Sequence, residues 1–322
     1  MLGGQASARD GLVPIGSGLR GPRGWRATVY ATGLRHVSAY VLDRDGRLWV
    51  ATSGATEHSQ DAIYVVARAG ARPRRVASGL HGPLGLAWYD HLLYLAEIGR
   101  VEAFGGLRGS RFSQRRTILR GPAARAENNN LVLAPNGRFL MAVSATCDHC
   151  TSTARRSAAI VSFRPDGADL RIYASGIRAA YGLAFVPGTS TLVATMNQRD
   201  DLGARTPGDW LAVVRQGENW RFPGCFGQGG SACRGVPKPV AELDPHAAAG
   251  GVAIVDGAAI VAEWTKGKVL RVALTRSGTA YRGDVSTFLT GLVNPLPVLA
   301  LQAGGVLVGD WTTGTIYRVA HG

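Results

Sequence analysis

One pattern of apolar and polar positions recurs six times along the chain. Each copy runs through a short apolar segment, a turn and a second apolar segment, as in GLRHVSAYVLDRDGRLWVATS at residues 33–53. Apolar runs of this length, rich in β-branched residues and bounded by Gly, Pro or Asp, predict paired β-strands. The six copies lie at residues 33–53, 79–99, 127–147, 176–198, 246–267 and 291–314.

The spacing of the copies predicts a β-propeller. Third and fourth strands follow the hairpins, for example at residues 62–70 and 74–79 after the first copy. Equivalent positions in the second strands are separated by 45, 46, 53, 68 and 47 residues, which is the spacing of four-stranded blades. We therefore predict an all-β, six-bladed β-propeller. The equivalent positions are Trp49, Tyr94, Leu140, Val193, Val261 and Val308.

The two ends of the chain complement each other. Residues 26–33 have the pattern of a fourth strand with no blade before it, and residues 314–320 that of a third strand with no fourth strand after it. Pairing these strands would close the ring and cover two sheet edges. We predict that the last blade is shared between the termini, with residues 1–24 as an N-terminal extension and 25–322 as one domain.

The two longest gaps in the repeat mark insertions, and each insertion contains two cysteines. Cys147 and Cys150 form a C-D-H-C sequence, and Cys225 and Cys233 lie eight positions apart. An even number of cysteines in local pairs favours two disulfides in an exported protein. The alternative is a zinc site that uses Cys147, Cys150 and His149, with Cys225 as a further ligand. We expect a secreted or periplasmic protein whose leader is absent from this sequence.

Composition excludes several classes of protein. The 322 residues are 46% hydrophobic and 18% charged, which is too apolar for a disordered chain. No apolar run reaches the roughly 18–20 residues of a membrane-spanning helix. The net charge of +14 comes from 36 Lys and Arg against 22 Asp and Glu. Because the arginines are scattered, we expect attraction to acidic ligands rather than nucleic-acid binding.

The propeller geometry also predicts where a site would lie. The start of the first strand and the end of the second share one end of each hairpin, so six blades bring these residues to one mouth of the central channel. A concave site with converging polar groups is the default ligand site. The strand starts are His36, His81, Asn128, Asn129, Asn130, Arg178, His246 and Asn294, and the strand ends are Ser53, Glu97, Asn197, Glu263, Trp264, Asp310 and Trp311.

Three features of this mouth point to chemistry. An arginine facing a channel is costly unless an anion or a carboxylate pairs with it, which singles out Arg178. His246 precedes small residues that leave its ring accessible, so it is the candidate proton acceptor. The loop at residues 197–209 has three Asp residues and free carbonyls, a donor set that suits Ca²⁺. Structural roles remain open for the asparagines as turn formers and for the tryptophans as channel plugs.

Over about residues 25–320 the chain resembles the glucose/sorbosone dehydrogenase family of six-bladed propellers. The resemblance implies pyrroloquinoline quinone and Ca²⁺ as cofactors, and oxidation of sugars or related alcohols and aldehydes outside the cytoplasm. It is carried, in order, by LVLAPNGRF (131–139), SFRPDGADLRIYASGIRAAYGLAF (162–185), NQRDDLG (197–203), GENWRFPGC (217–225), LDPHAAAGG (243–251) and GTIYRV (314–319).

The resemblance also implies roles for individual residues. Arg178 would contact the quinone oxygens, the calcium loop would lie within residues 199–203, and Lys266 or Lys268 would meet a cofactor carboxylate. Three positions depart from the family. Ala126 stands where the family has its general-base His, and Ala179 stands where it has an Asn after the arginine. Asn294, before Pro295, stands where the family often has an Arg. The predicted set is Arg178 and His246 for catalysis, Arg178, Asn128, Asn129, Lys266, Trp264 and Asn294 for the cofactor, and Arg199, Asp200 and Asp201 for the metal.

Three functions are compatible with these observations. The first is a sugar dehydrogenase-like oxidoreductase that uses the quinone and calcium at the channel mouth, with the electron acceptor left open. The second is a metal-dependent lactonase or lyase on the same fold. The third is a non-catalytic propeller that binds a sugar or a protein, because propellers host unrelated functions. The metal ligands of the second would be Glu97, Asn197, Glu263 and Asp310.

Overall fold

Six four-stranded antiparallel sheets form the blades of a β-propeller in a computed structural model that describes residues 11–54, 61–121, 126–151, 154–227 and 229–322. The predicted fold is confirmed. The first three blades are β4 to β7 (Val37–Leu42, Leu48–Thr52, Ala62–Val66, Arg74–Ser78), β8 to β11 (Gly85–Tyr89, Leu92–Glu97, Arg100–Arg108, Arg111–Arg120) and β12 to β15 (Asn128–Leu133, Phe139–Val143, Ala159–Phe163, Arg171–Ser175).

The remaining blades follow the same order from the axis outward. They are β16 to β19 (Leu183–Phe185, Leu192–Met196, Gly208–Val214, Ala241–Pro245), β20 to β23 (Ala249–Val255, Ala258–Glu263, Lys268–Ser277, Ala280–Leu289), and β24 to β26 (Pro295–Ala300, Val306–Asp310, Thr315–His321) completed by β3 (Trp25–Ala31).

Pairing of β3 with β26 closes the ring as the sequence predicts. The register places Ile316 opposite Ala31 and His321 opposite Trp25. The predicted bounds of the two strands differ from the observed ones by at most two residues. Before β3, a hairpin of β1 (Val13–Gly16) and β2 (Leu19–Gly21) packs Ile15 and Leu19 into the hydrophobic cluster at this junction. Residues 1–10 of the predicted extension lie outside the described residues.

Apolar packing between neighbouring blades holds the ring together. The six equivalent second-strand positions are all buried, from fully buried Trp49 to 2% exposed Tyr94. First strands contact their neighbours around the axis, and at several positions, Gly182 and Gly251 among them, they approach so closely that only glycine fits. A Cβ on Gly182 would lie 2.7 Å from the backbone of Gly250, and one on Gly251 would lie 2.8 Å from the nitrogen of Val298.

Two buried carboxylates tie consecutive blades at the mouth end. Asp209 accepts hydrogen bonds from the backbone nitrogens of Gln198, at 2.8 Å, and Ala249, at 2.9 Å, which belong to the fourth and fifth blades. Asp61 in the first blade likewise accepts from Gly54 N, and from Gly82 N before the second blade. Each carboxylate thereby fixes the position of a neighbouring blade.

The cysteines form the two predicted local disulfides, Cys147–Cys150 and Cys225–Cys233. The zinc alternative is therefore wrong, because its thiolate ligands are consumed. In the described part of the chain, no helix has the length and apolar character to cross a membrane.

Ring closure can be tested by truncation. Deleting residues 1–32 removes β3 and leaves the edge of β26 unpaired, so we expect the melting temperature to fall by at least about 10 °C. Deleting residues 1–24 is the matched control, because it spares β3 and should cost clearly less. Equal melting temperatures of the two truncated proteins in differential scanning calorimetry would contradict the closure.

The contribution of Asp209 should depend on pH. Burial raises its pKa to about 6, above the value of about 4 of an unfolded chain. A raised carboxyl pKa stabilises the fold below pH 4, and this contribution is lost as pH rises through 6. Relative to Asp209→Asn, we expect the wild-type free energy of unfolding to fall by up to roughly 3 kcal/mol between pH 4 and 6. Urea unfolding at several pH values measures this difference, and a constant difference would count against it.

Candidate functional site

A cavity of about 580 Å³ lies at the predicted mouth of the channel. Residues from all six blades line it, so the strand ends converge as the hairpin geometry predicts. A second, smaller cavity of about 50 Å³ lies between the first strands of the blades. The polar and aromatic side chains of the cavity wall are Ser53, Glu127, Ser144, Thr146, Arg178, Tyr181, Asn197, Asp200, Trp264 and Trp311.

Arg178 lies on this wall and has a carboxylate partner. Its Nη2 donates to Asp148 Oδ1 at 2.5 Å and its Nε to the Asp148 carbonyl at 3.0 Å. The Asp148 carboxylate also accepts the backbone nitrogens of Asp200 and Asp201 at 3.0–3.1 Å. Because Asp148 lies between Cys147 and Cys150, the short disulfide loop joins the arginine to the loop after the fourth blade's second strand. The sequence analysis singled out the two cysteines and His149 of the C-D-H-C segment, but not Asp148.

The predicted metal loop is partly neutralised from within. Arg199 binds both carboxylate oxygens of Asp201 at 2.6 Å, and its guanidinium lies over the Phe226 ring. This ion pair lowers the pKa of Asp201 to about 2. Asp200 is the loop carboxylate on the cavity wall. No group of three or more His, Cys, Asp or Glu side chains that could hold a metal ion exists among the described residues, so a cation here would also need backbone or amide oxygens.

His246 lies on the same rim as Arg178, and Asp200 contacts both residues. The ring Nδ1 is 2.9 Å from Asp200 Oδ1 and Nε2 is 3.0 Å from the Gly203 carbonyl, while Arg178 Nη2 is 3.9 Å from Asp200 Oδ2. The Gly203 carbonyl, followed by Asp200, raises the pKa of His246. Acceptor oxygens at both ring nitrogens favour the doubly protonated imidazolium, which has no free nitrogen to take a further proton. His246 is outside the set of described residues that lines the cavity.

The predicted cofactor contacts are divided between the wall and the layer behind it. Asn128 and Asn129 are fully buried and donate to the Glu97 carbonyl and the Ser144 hydroxyl. Asn294 donates to the Trp264 carbonyl and accepts from the Thr312 hydroxyl. Lys266 is exposed on a turn, whereas Trp264 lies on the wall.

Three of the four metal ligands considered for a lactonase have structural roles. Glu97, Glu263 and Asp310 are buried at equivalent blade positions. Glu97 and Asp310 each accept a backbone N–H from just before the first strand of their own blade, and Glu263 accepts one from the last strand of the fourth blade. The donors are His81, Asp244 and Val293. Burial raises the pKa of Glu97 and of Glu263. The fourth candidate, Asn197, faces the cavity, and its Oδ1 is buried without a hydrogen-bond donor among the described residues.

Two tryptophans give the wall an aromatic part. Trp264 and Trp311 have ring centroids 5.7 Å apart in an edge-to-face arrangement. Trp311 Nε1 donates to the Ser53 carbonyl at 3.0 Å, and its ring stacks on His36 at 4.2 Å. The Trp311 ring is therefore held by the first blade while part of it lines the cavity. Such rings offer flat apolar surface to a ring-shaped ligand.

The comparisons with known proteins concern the fold. No family model matches the sequence, and no curated protein matches it. Among solved structures, the PQQ-bound aldose sugar dehydrogenase from Streptomyces coelicolor is similar with a TM-score of 0.76 and 21% identity, covering 93% of this chain and 99% of that one.

Two fungal structures are similar as well. The holo form of the pyranose dehydrogenase PQQ domain from Coprinopsis cinerea has a TM-score of 0.77 and 14% identity, covering 94% of this chain and 97% of the other. The calcium structure of the carbohydrate-active enzyme of family AA12 from Trichoderma reesei has a TM-score of 0.75 and 15% identity, covering 94% and 96%. These likenesses show that the chain has the fold of soluble sugar dehydrogenases.

The role of Asp148 can be tested by Asp148→Asn. The variant loses the charged partner of Arg178 and weakens the bonds to two loop amides. Hydrogen bonds to a charged group contribute ~1.5–3 kcal/mol, so exchange of the Asp200 and Asp201 amides should accelerate about ten- to a hundredfold. Hydrogen–deuterium exchange measures this, with Asp166→Asn in an exposed turn as control. Unchanged exchange in the 199–203 loop would show that Asp148 does not hold it.

Proposed function

We propose that the protein is a sugar oxidoreductase that binds pyrroloquinoline quinone and Ca²⁺ in the mouth cavity. One observation carries the proposal: Arg178, the Asp200 carboxylate and the unpartnered Oδ1 of Asn197 lie on the same wall. A guanidinium suits the oxygens of an anionic quinone, and amide and carboxylate oxygens suit Ca²⁺. Solved structures of the same fold are named as PQQ-bound and calcium forms.

The residues of this wall fit both groups. A buried amide oxygen without a donor costs about 1–3 kcal/mol, and a cation bound beside Asn197 would remove that cost. Asp200 and the backbone carbonyls of residues 199–201 would supply further oxygen ligands. Arg178 would hold the quinone oxygens, and Asp148 keeps the guanidinium in place at 2.5 Å. Trp264 would supply an apolar surface for the planar ring.

The quinone, when bound with Ca²⁺ as a Lewis acid, supplies a two-electron acceptor for the hydride of a substrate alcohol. The chain's own residues prepare that reaction. Arg178 supplies a fixed positive charge where negative charge develops, and its orientation needs no rearrangement because Asp148 already binds it. Trp311, fixed by the Ser53 carbonyl and the His36 ring, presents a flat face to a sugar ring.

The proposal includes a secreted or periplasmic location. Two disulfides persist in oxidising compartments and are rare in the cytosol, and both occur in the insertions at the cavity end. The Cys147–Cys150 loop carries Asp148, so an oxidising environment also preserves the support of Arg178.

Cofactor titration tests the proposal. Adding the quinone to the protein should quench tryptophan fluorescence in a saturable, Ca²⁺-dependent manner, and the loaded protein should reduce a dye with aldoses. Arg178→Met should weaken quinone binding about ten- to a hundredfold, because a charged hydrogen bond contributes ~1.5–3 kcal/mol. Arg171→Met, on an outer strand, is the control. Sugar binding without dye reduction would instead support a non-catalytic propeller, and metal-dependent lactone hydrolysis would support a lactonase.

A further inference from the structure

Glu127 and Tyr181 form a pair on the cavity wall that the sequence analysis did not single out. The Tyr181 hydroxyl donates a hydrogen bond to Glu127 Oε2, and both side chains line the cavity. The two residues come from different blades, since Glu127 directly precedes β12 and Tyr181 precedes β16. Their backbones are fixed as well: the Glu127 carbonyl accepts from Ser144 N at 3.0 Å, and the Tyr181 carbonyl accepts from Asn130 Nδ2 at 3.3 Å.

The proton of this pair belongs to the phenol. Burial, followed by the negative charge of Glu127, raises the pKa of Tyr181 well above its usual range. Tyr181 therefore stays protonated and donates, and Glu127 stays the acceptor. Only Oε2 is used in this bond, and no described residue donates a hydrogen bond to Oε1. One carboxylate oxygen on the cavity wall thus retains its capacity to accept a proton.

The other acidic and basic groups of the mouth are already paired. Asp200 binds His246 Nδ1, and both nitrogens of His246 are engaged. Arg199 binds both oxygens of Asp201. Of the two carboxylates on the wall, Asp200 lies 3.9 Å from the Arg178 guanidinium, whereas Glu127 has no ion pair among the described residues. Glu127 is therefore the wall carboxylate that keeps an oxygen available to a substrate hydroxyl.

We infer that Glu127 is the general base of the cavity and that Tyr181 is the residue that positions it; this inference rests on the proposed function. As the substrate alcohol is oxidised, its O–H bond breaks and the proton passes to Glu127. The C–H bond would break as the carbon–oxygen double bond forms, and a quinone held by Arg178 would take up the hydride as the two-electron acceptor. Glu127 then releases the proton to water in the open cavity.

Three variants of the holoenzyme test the proton step. Glu127→Gln keeps the shape of the side chain but cannot take a proton, so kcat should fall about 10²–10⁴-fold, as for loss of a general base, with little change in KM. Tyr181→Phe keeps the ring and loses the hydrogen bond, so kcat should fall less. Glu218→Gln, at a turn of the fourth blade, should match the wild type. Formate should partly restore the activity of Glu127→Ala.

A second measurement does not depend on activity. The absorbance of tyrosinate near 295 nm, compared between wild type and Tyr181→Phe, isolates the ionisation of one phenol. In Glu127→Gln the negative neighbour is gone, so this ionisation should shift to lower pH. Quinone affinity should be unchanged in Glu127→Gln, which separates proton transfer from cofactor binding.

The possible outcomes separate the two proposals. An active wild type with an unchanged kcat in Glu127→Gln overturns the role of Glu127 alone. A wild type that binds no quinone and oxidises no sugar overturns the proposed function, and the proton step with it. An unshifted phenol ionisation in Glu127→Gln shows that the pair does not form and overturns the positioning role of Tyr181.

Discussion

Hydrogen bonding between β3 and β26 is the interaction on which the cavity depends. The wall takes residues from all six blades, so no subset of blades encloses the cavity without the rest. The junction between the last and the first blade has further side-chain and backbone contacts. The Trp311 backbone accepts from His36 N at 2.7 Å, and the Trp311 ring donates to Ser53, so the last blade is joined to the first at the rim itself. Separating β3 from β26 would therefore displace the Trp311 ring on the cavity wall as well as an outer strand.

Much of this architecture follows from the sequence, because blade spacing and strand alternation are local properties. The six hairpins, the shared last blade, both disulfides and the position of Arg178 on the wall were all predictable in this way. Side-chain partners between blades were not. Asn128 and Asn129 begin a strand at the mouth, yet both are fully buried and bond to neighbours. The pairing of Glu127 with Tyr181 joins residues 54 positions apart, and no periodicity in the sequence signals it.

The electrostatics of the mouth combine a long-range and a short-range part. The net charge of +14 draws anions toward the protein, an effect that salt screens. At the rim, individual pairs determine which groups remain reactive. Arg199 neutralises Asp201, Asp148 supports Arg178, and Asp200 engages His246. These pairs leave Glu127 as the wall carboxylate whose partner is a neutral phenol.

The limited space between the first strands has a consequence for how ligands enter and leave the cavity. Between first strands that meet at glycine contacts lies a second cavity of only about 50 Å³, with room for one or two water molecules. Among the described residues, a molecule larger than water therefore has more room at the mouth cavity than along the axis. Under the proposed function, substrate and product would then pass the mouth one after the other, and an electron acceptor too large for the cavity would have to receive electrons at the rim.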